Sequence, residues 1–155
     1  MTDAFVLFIM PNASKWIACC SLAVLVALYV VGAVSNGSLR HEVQTLPLWF
    51  PIVLAFCQRE LAKWSALPCL IFWLAIMVLI WLFLLGWAHI VSGHFSPIEI
   101  AMTLVIGVAC VTGIVFSLRW RTAVSSFAAL GSAVLFGTLQ LLAFRISLIP
   151  YIAGR

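Results

Sequence analysis

The sequence predicts an all-α integral membrane protein, a bundle of four transmembrane helices with an interfacial amphipathic helix between the first two. Composition points to this class, because 66% of the 155 residues are hydrophobic and 8% are charged, against roughly 25% charged residues in soluble domains. The stretch 68–91 contains no Asp, Glu, Lys or Arg and is apolar on every side, so its solvent is lipid or other protein. Three further apolar stretches have the length of about 20 residues that a membrane crossing needs.

The four predicted spans lie near 16–35, 68–91, 97–118 and 122–144, in a single membrane domain that covers residues 1–155. Small residues near the end of the first span resemble a signal-peptide cleavage site. Its apolar run, however, is about 20 residues long, against roughly 7–15 in a signal core, so we expect a retained anchor.

Two of these spans begin with capping signals. Ser65 is placed to cap the second span, with Pro68 tolerated in its first turn. Ser96, Pro97 and Glu99 have the spacing of a capping box at the start of the third span. This role accounts for Glu99, otherwise the most obvious candidate acid, without catalysis.

The interfacial helix is predicted near 51–64. Pro47 and Pro51 argue against one helix through this region, although Pro51 suits a first turn. Glu60 and Lys63 have the spacing of an ion pair on the charged face of such a helix. The pattern is typical of a helix in the membrane plane. Such a helix either covers the end of the bundle or forms a docking surface for another protein.

Small residues recur at every fourth position of three spans, and such rows let membrane helices approach closely. The rows are Cys19, Ala23 and Ala27 in the first span, Ala101, Ala109 and Gly113 in the third, where Val105 interrupts the row, and Ser125, Ala129, Ala133 and Gly137 in the fourth. We therefore expect tight contacts among these three spans. The bulky second span would then lie outside them or against a partner.

Motifs for nucleotide, serine-hydrolase or zinc-protease chemistry do not occur in the sequence. The five cysteines have no C-x-x-C spacing, so we expect neither a disulfide nor a metal cluster. His89, His94 and Glu99 are the best metal-ligand set, but interfacial histidines are the ordinary interpretation. No ionisable residue lies near the middle of a span, which disfavours a pump or channel acting alone. We predict no catalytic, cofactor-binding or metal-binding residue, and the chain is more typical of a non-enzyme.

The formal net charge of +4 comes from basic residues scattered at helix ends without a basic stripe, so we expect no nucleic-acid partner. In a four-span topology, one side carries Arg40, Arg59, Lys63, Arg119 and Arg121, and the other carries Lys15, Arg145 and Arg155. The positive-inside rule then places the first set in the cytoplasm and both termini on the non-cytoplasmic side.

The layout also resembles the small membrane subunits of tripartite solute transporters. The strings that carry the resemblance are Arg59-Glu60-Leu61 before the second span and Ala88-His89-Ile90 at its end. They are short and cover a small part of the chain, so no site residue is taken from that family.

Contacts with partners or lipid are expected at aromatic and basic residues of the second span and the helix before it. These residues are Trp49, Phe50, Arg59, Lys63, Trp64, Trp73, Trp81 and Trp87. Large aromatic side chains supply much of the energy of protein contacts, although the same residues also suit a surface that only faces lipid.

The favoured function is a non-catalytic small integral membrane subunit or scaffold of a larger membrane complex. Its partners would be membrane lipids and either other integral membrane subunits or further copies of the chain. The alternative is a small membrane enzyme or transporter component, for example a small transporter subunit. Its site would form from loop residues such as Arg40, His41 and Glu42, or His94 and Glu99.

Overall fold

The computed structural model describes residues 13–35, 38–57, 59–87 and 95–149. The described residues form five α-helices: α1 (Ala13–Val34), α2 (Ser38–Phe56), α3 (Leu61–Leu84), α4 (Pro97–Arg119) and α5 (Ser126–Ser147). Four of them, α1, α3, α4 and α5, are long and apolar enough to cross a membrane. The all-α class, the four candidate spans and the extra helix between the first two are confirmed.

Contacts at the helix ends give the direction of each span. Trp16 near the start of α1 stacks on Phe116 near the end of α4, with ring centroids 5.4 Å apart. Near the end of α3, Trp81 Nε1 donates a hydrogen bond of 3.1 Å to Thr103 Oγ1 near the start of α4. These two contacts show that α4 runs antiparallel to both α1 and α3. Helices α1 and α3 therefore run parallel to each other. The start of α3 lies at what we call the Lys63 end of the bundle, and the start of α4 lies at the opposite, Glu99 end.

Helix α2 returns the chain from the Glu99 end to the Lys63 end. The Ser14 hydroxyl at the start of α1 donates to the Ala55 carbonyl at the end of α2, and Tyr29 and Leu39 share a groove toward the opposite end. These contacts place α2 alongside α1 and antiparallel to it. The predicted range 51–64 is wrong, because the chain leaves the helix after Phe56 and the next helix begins at Leu61.

Both prolines lie inside α2, which corrects the expectation that no single helix runs through them. Pro47 and Pro51 are four residues apart and therefore share one face, which is buried in the bundle. Each removes a backbone hydrogen bond. Packing of this face against neighbouring helices outweighs that loss, as it often does in membrane proteins.

Helix α3 begins and ends about seven residues before the predicted span 68–91, since it covers Leu61–Leu84. Ser65 is inside it and donates to the Ala62 carbonyl over 3.1 Å, so the predicted capping role is wrong. Gly86 ends the helix with a φ of 76°. The Gly86 amide donates to Phe83 and the Trp87 amide to Leu82, the paired bonds of a Schellman motif.

The starts of α4 and α5 are set by serine caps. Ser96 Oγ accepts from the Glu99 amide, and Glu99 Oε2 accepts from the Ser96 amide over 2.7 Å, so the predicted capping box is confirmed. Ser125 Oγ accepts from the Ala128 amide over 3.4 Å, and α5 therefore begins at Ser126. The predicted start near 122 was a few residues early.

Helix α3 packs against all four other helices, which corrects the expectation that the bulky span lies outside. The tight pairing of α1 with α4 is confirmed, because Gly113 of α4 lies against Cys20 of α1. The small row of α5 faces α3 instead, with Gly137 beside Pro68. The large side chains of α3 pack against the small residues of α5, so they contribute to the core of the bundle.

Candidate contact sites for partners and lipid

Trp49 and Phe50, two of the predicted contact residues, lie on the exposed face of α2. They belong to a row of large apolar side chains on one side of this helix, which we call the α2 stripe. Its members are Leu46, Trp49, Phe50, Val53 and Phe56. Phe50 also marks the edge of the stripe, since its ring lies 5.9 Å from that of Phe136 on α5. The stripe is the largest aromatic surface that α2 offers to a partner or to lipid.

A groove between α1 and α2 adjoins the stripe and has a volume of about 580 Å³. Tyr29 and Ala33 form its α1 wall, and Glu42 and Leu46 belong to its α2 wall. Glu42 is exposed, and no basic side chain of the described residues forms an ion pair with it. The groove therefore combines an apolar surface with one free carboxylate.

Trp73 and Trp81 face into the bundle, which corrects their assignment to a partner surface. Trp73 is 2% exposed and packs edge-on against Phe72. The Trp81 ring fills a notch in α4 where Gly107 has no side chain, while its Nε1 donates to Thr103. Both tryptophans hold helices together within the chain.

Arg59 and Trp87 lie at opposite ends of the bundle. Arg59 is exposed in the turn between α2 and α3. Trp87 follows α3 at the Glu99 end and is 79% exposed, where an aromatic residue suits the headgroup level. The eight predicted contact residues therefore do not form one surface.

Lys63 is 8% exposed, although we expected it to reach lipid or a partner. Its Nζ donates to the Trp120 carbonyl over 2.7 Å and lies 4.7 Å from the ring centroid of Trp64. Trp64 Nε1 in turn donates to Thr122 over 3.3 Å. The segment between α4 and α5 covers Lys63, and nothing in the local sequence of α3 indicates this.

Glu60 does not pair with Lys63 as its spacing predicted. Its Oε2 instead accepts a hydrogen bond of 2.9 Å from the Ala123 amide. The carboxylate therefore anchors the segment between α4 and α5, and the Lys63 ammonium has no ion pair to a carboxylate of the described residues.

A cavity of about 510 Å³ opens beside Lys63 between α3 and α5. We call it the basic pocket. Its polar lining is Lys63, Trp64, Trp120, Arg121, Thr122 and Ser126, and its apolar lining is Leu118, Val124, Ala129, Leu130 and Ala133. The sequence indicated Lys63 and Trp64 as contact residues but not the pocket residues that follow α4. These residues reach Lys63 and Trp64 because α5 packs beside α3.

A buried polar cluster joins α2 to α5 near the Glu99 end. Gln44 Nε2 donates to Ser147 Oγ over 2.8 Å, and Gln140 Nε2 donates to the Gln44 carbonyl over 3.0 Å. Gln140 is 0% exposed, and its Oε1 has no partner among the described residues. We did not predict this cluster, since nothing near Gln44 in the sequence indicates a partner on the last helix.

Groups for catalysis or metal binding do not assemble in the described part of the chain. No set of three His, Cys, Asp or Glu side chains there has the arrangement of a metal site. Glu99 is committed to its capping box. His89 and His94, which completed the metal set considered from the sequence, lie outside the described residues.

Comparison of the chain with protein-family models, curated proteins and solved structures gives no match. The fold and the sites therefore define the class on their own. The chain is a multi-pass helical membrane protein with an exposed aromatic helix face and a basic pocket at one end.

Proposed function

We propose that the chain is a non-catalytic subunit or scaffold of a larger membrane assembly and that it binds a transmembrane helix of another subunit. The α2 stripe is the observation that carries this proposal. Its aromatic members are exposed along a helix whose opposite face is buried. Aromatic residues with one buried and one open face are enriched where proteins meet.

The groove beside the stripe supports a protein partner over lipid alone. Glu42 is an exposed carboxylate at the Glu99 end of this groove. A carboxylate on a membrane-facing surface is costly unless it is paired. We therefore propose that the partner helix carries an apolar face and a basic residue that reaches Glu42.

Co-purification tests this proposal. The tagged full chain is isolated in mild detergent from its own membrane, and the molar ratio of any bound subunit is measured. Trp49→Leu with Phe50→Leu keeps α2 apolar and should lower this ratio several-fold. Phe127→Leu is the matched control, because Phe127 is an 89% exposed aromatic residue on α5.

If the double variant binds the subunit at the same molar ratio as the unchanged chain, the α2 stripe is not the binding surface. A homogeneous homo-oligomer with enzymatic or transport activity and no further subunit would favour the alternative class. Variants at Trp73 and Trp81 are unsuitable for this test, since both side chains stabilise the bundle.

We also propose an orientation that differs from the sequence expectation. Because α1 and α3 run parallel, α2 must bring the chain back across the membrane, which makes five crossings. The basic residues at the Lys63 end are Lys15, Arg59, Lys63, Arg119 and Arg121, and those of the described residues at the Glu99 end are Arg40 and Arg145. The positive-inside rule then favours a cytoplasmic Lys63 end. The start of α1 is cytoplasmic and the end of α5 is on the other side.

A further inference from the structure

The Lys63 side chain is largely covered by the protein, and its ammonium has no carboxylate counter-ion among the described residues. Lys63 is 8% exposed, and its ammonium donates to one backbone carbonyl. Its nearest candidate partner in sequence, Glu60, is bound to the Ala123 amide. Because a buried charge is costly unless it is paired, an anion beside Lys63 would stabilise this end of the bundle.

The basic pocket provides room for such an anion and a second positive charge. Arg121 lines the same cavity and is exposed, so its guanidinium is free to approach a bound phosphate. Thr122 and Ser126 add hydroxyl groups to the lining. No acidic residue of the described part of the chain lines the pocket, so its charge is complementary to an anion.

The other side of the pocket is apolar, which suggests that the ligand has an apolar part in addition to its anionic group. Leu130 and Ala133 lie on α5 below the polar groups, and Leu118 lies on α4. On the α5 side of the pocket, the small side chains of Ala129 and Ala133 leave an apolar trough beside α3. A trough of this kind accommodates an alkyl chain, whereas an inorganic anion would leave it unfilled.

We propose that the basic pocket binds one anionic phospholipid, with its phosphate between Lys63 and Arg121 and an acyl chain along Ala129 and Ala133. The tryptophans beside these residues, Trp64 and Trp120, place the pocket at the level where phospholipid headgroups lie. This site is on a different part of the bundle from the α2 stripe, so it does not depend on the proposed function.

Native mass spectrometry of the full chain tests the proposal. Delipidated protein in mild detergent is mixed with phosphatidylglycerol, or with phosphatidylcholine of the same acyl composition, and the fraction that carries one lipid is measured. We expect phosphatidylglycerol to bind at least several-fold more than phosphatidylcholine. Inorganic phosphate in large excess should not displace it, because the acyl chain contributes to binding.

Two variants test the charge and the trough separately. Arg121→Gln should lower phosphatidylglycerol binding several-fold, while Arg145→Gln, the same charge change at the Glu99 end, should leave it unchanged. Ala133→Leu fills the trough without altering charge and should also lower binding, whereas Ala128→Leu, on the exposed side of α5, should not. Lys63 is not the first choice for mutation, because its bond to Trp120 also supports the fold.

Equal binding of both lipids would overturn the proposal, as would unchanged binding in both Arg121→Gln and Ala133→Leu. Displacement of the lipid by inorganic phosphate would assign the pocket to a free anion. If Arg121→Gln releases an acidic protein and leaves lipid binding intact, the pocket is a protein contact and the proposal is wrong.

Discussion

Gly113 has no side chain at a point where α1 and α3 both approach α4. A Cβ atom at this position would lie 2.8 Å from Leu70 Cδ1 and 3.1 Å from Cys20 Cβ. Leu70 is 0% exposed, so its side chain has little room to move away. The close approach of three helices therefore depends on one missing methyl group.

Gly113→Ala is predicted to destabilise the bundle by about 1–3 kcal/mol, the usual cost of overpacking a core. The free energy of unfolding in detergent, measured with a denaturant series, checks this. Gly131→Ala is the matched control, because no atom lies within 4 Å of a Cβ built there. Because alanine has a higher helix propensity than glycine, the Gly131→Ala control should be as stable as the unchanged protein or up to about 1 kcal/mol more stable. Equal stability of the two variants would mean that α1, α3 and α4 do not pack this closely.

At the scale of elements, the ends of α4 were predictable and those of α2 and α3 were not. The capping box of Ser96 and Glu99 is a local signal, and so is the basic and aromatic boundary at Arg119. In α3, by contrast, we interpreted Pro68 as a helix start and overlooked Gly86 as a stop signal. The continuity of α2 through Pro47 and Pro51 depends on packing against distant helices, which no local pattern reports.

The same distinction holds for the candidate sites. The aromatic character of Trp49 and Phe50 indicated a contact surface, although the predicted helix 51–64 did not include them. The burial of Lys63 could not be predicted locally, because the Trp120 carbonyl that covers it lies 57 residues further along the chain. Trp73 was misassigned because bulk alone does not distinguish a lipid-facing side chain from one that fills a space between helices.

Helix α2 is joined to α5 by buried hydrogen bonds, and among the described residues the Gln140 side chain bonds to the Gln44 carbonyl alone. Gln140→Leu removes the bond to the Gln44 carbonyl and should destabilise the protein by about 1 kcal/mol, the typical value for such bonds between membrane helices. Thermal unfolding in detergent measures this, with Thr138→Val on the exposed side of α5 as the control. A Gln140→Leu variant as stable as the control would show that this contact contributes nothing to the α2–α5 pairing.

At the scale of the whole molecule, the number of crossings decides which basic residues share a side. Four crossings group Arg40 with Lys63, whereas five crossings group Lys15 with Lys63. The positive-inside rule is unchanged, but with five crossings it would place the start of α1 in the cytoplasm. The sequence could not resolve this, because α2 is less apolar than the four candidate spans.

Cysteine labelling tests the number of crossings. Cys57 is exposed in the turn after α2, so a membrane-impermeant maleimide should label it only after cells are permeabilised. Cys20, Cys69 and Cys110 are buried, and Cys19, on α1, lines an apolar groove with Leu104 and Val108, where a water-soluble maleimide has little access. Cys57→Ser should therefore remove the signal.

Ser35→Cys in the Cys57→Ser background reports the opposite end, because Ser35 is exposed just after α1. We expect this cysteine to be labelled in intact cells. Labelling of both positions from the same side would show that α2 does not cross the membrane. Labelling of Cys57 alone in intact cells would preserve five crossings and reverse the orientation.

The bonds between α2 and α5 have a consequence for biogenesis. Gln44 finds its side-chain partner Ser147 after a separation of 103 residues. At roughly 5–20 residues per second of synthesis, α2 emerges from the ribosome roughly 5–20 seconds before that partner exists. During this interval the Gln44 side-chain amide and the polar first turns of α2 need another hydrogen-bond partner in place of α5. Water, the insertion machinery or another protein can provide it. Helix α2 can pack against α1 and α3 before then, but its polar bonds to α5 form only when the last helix arrives.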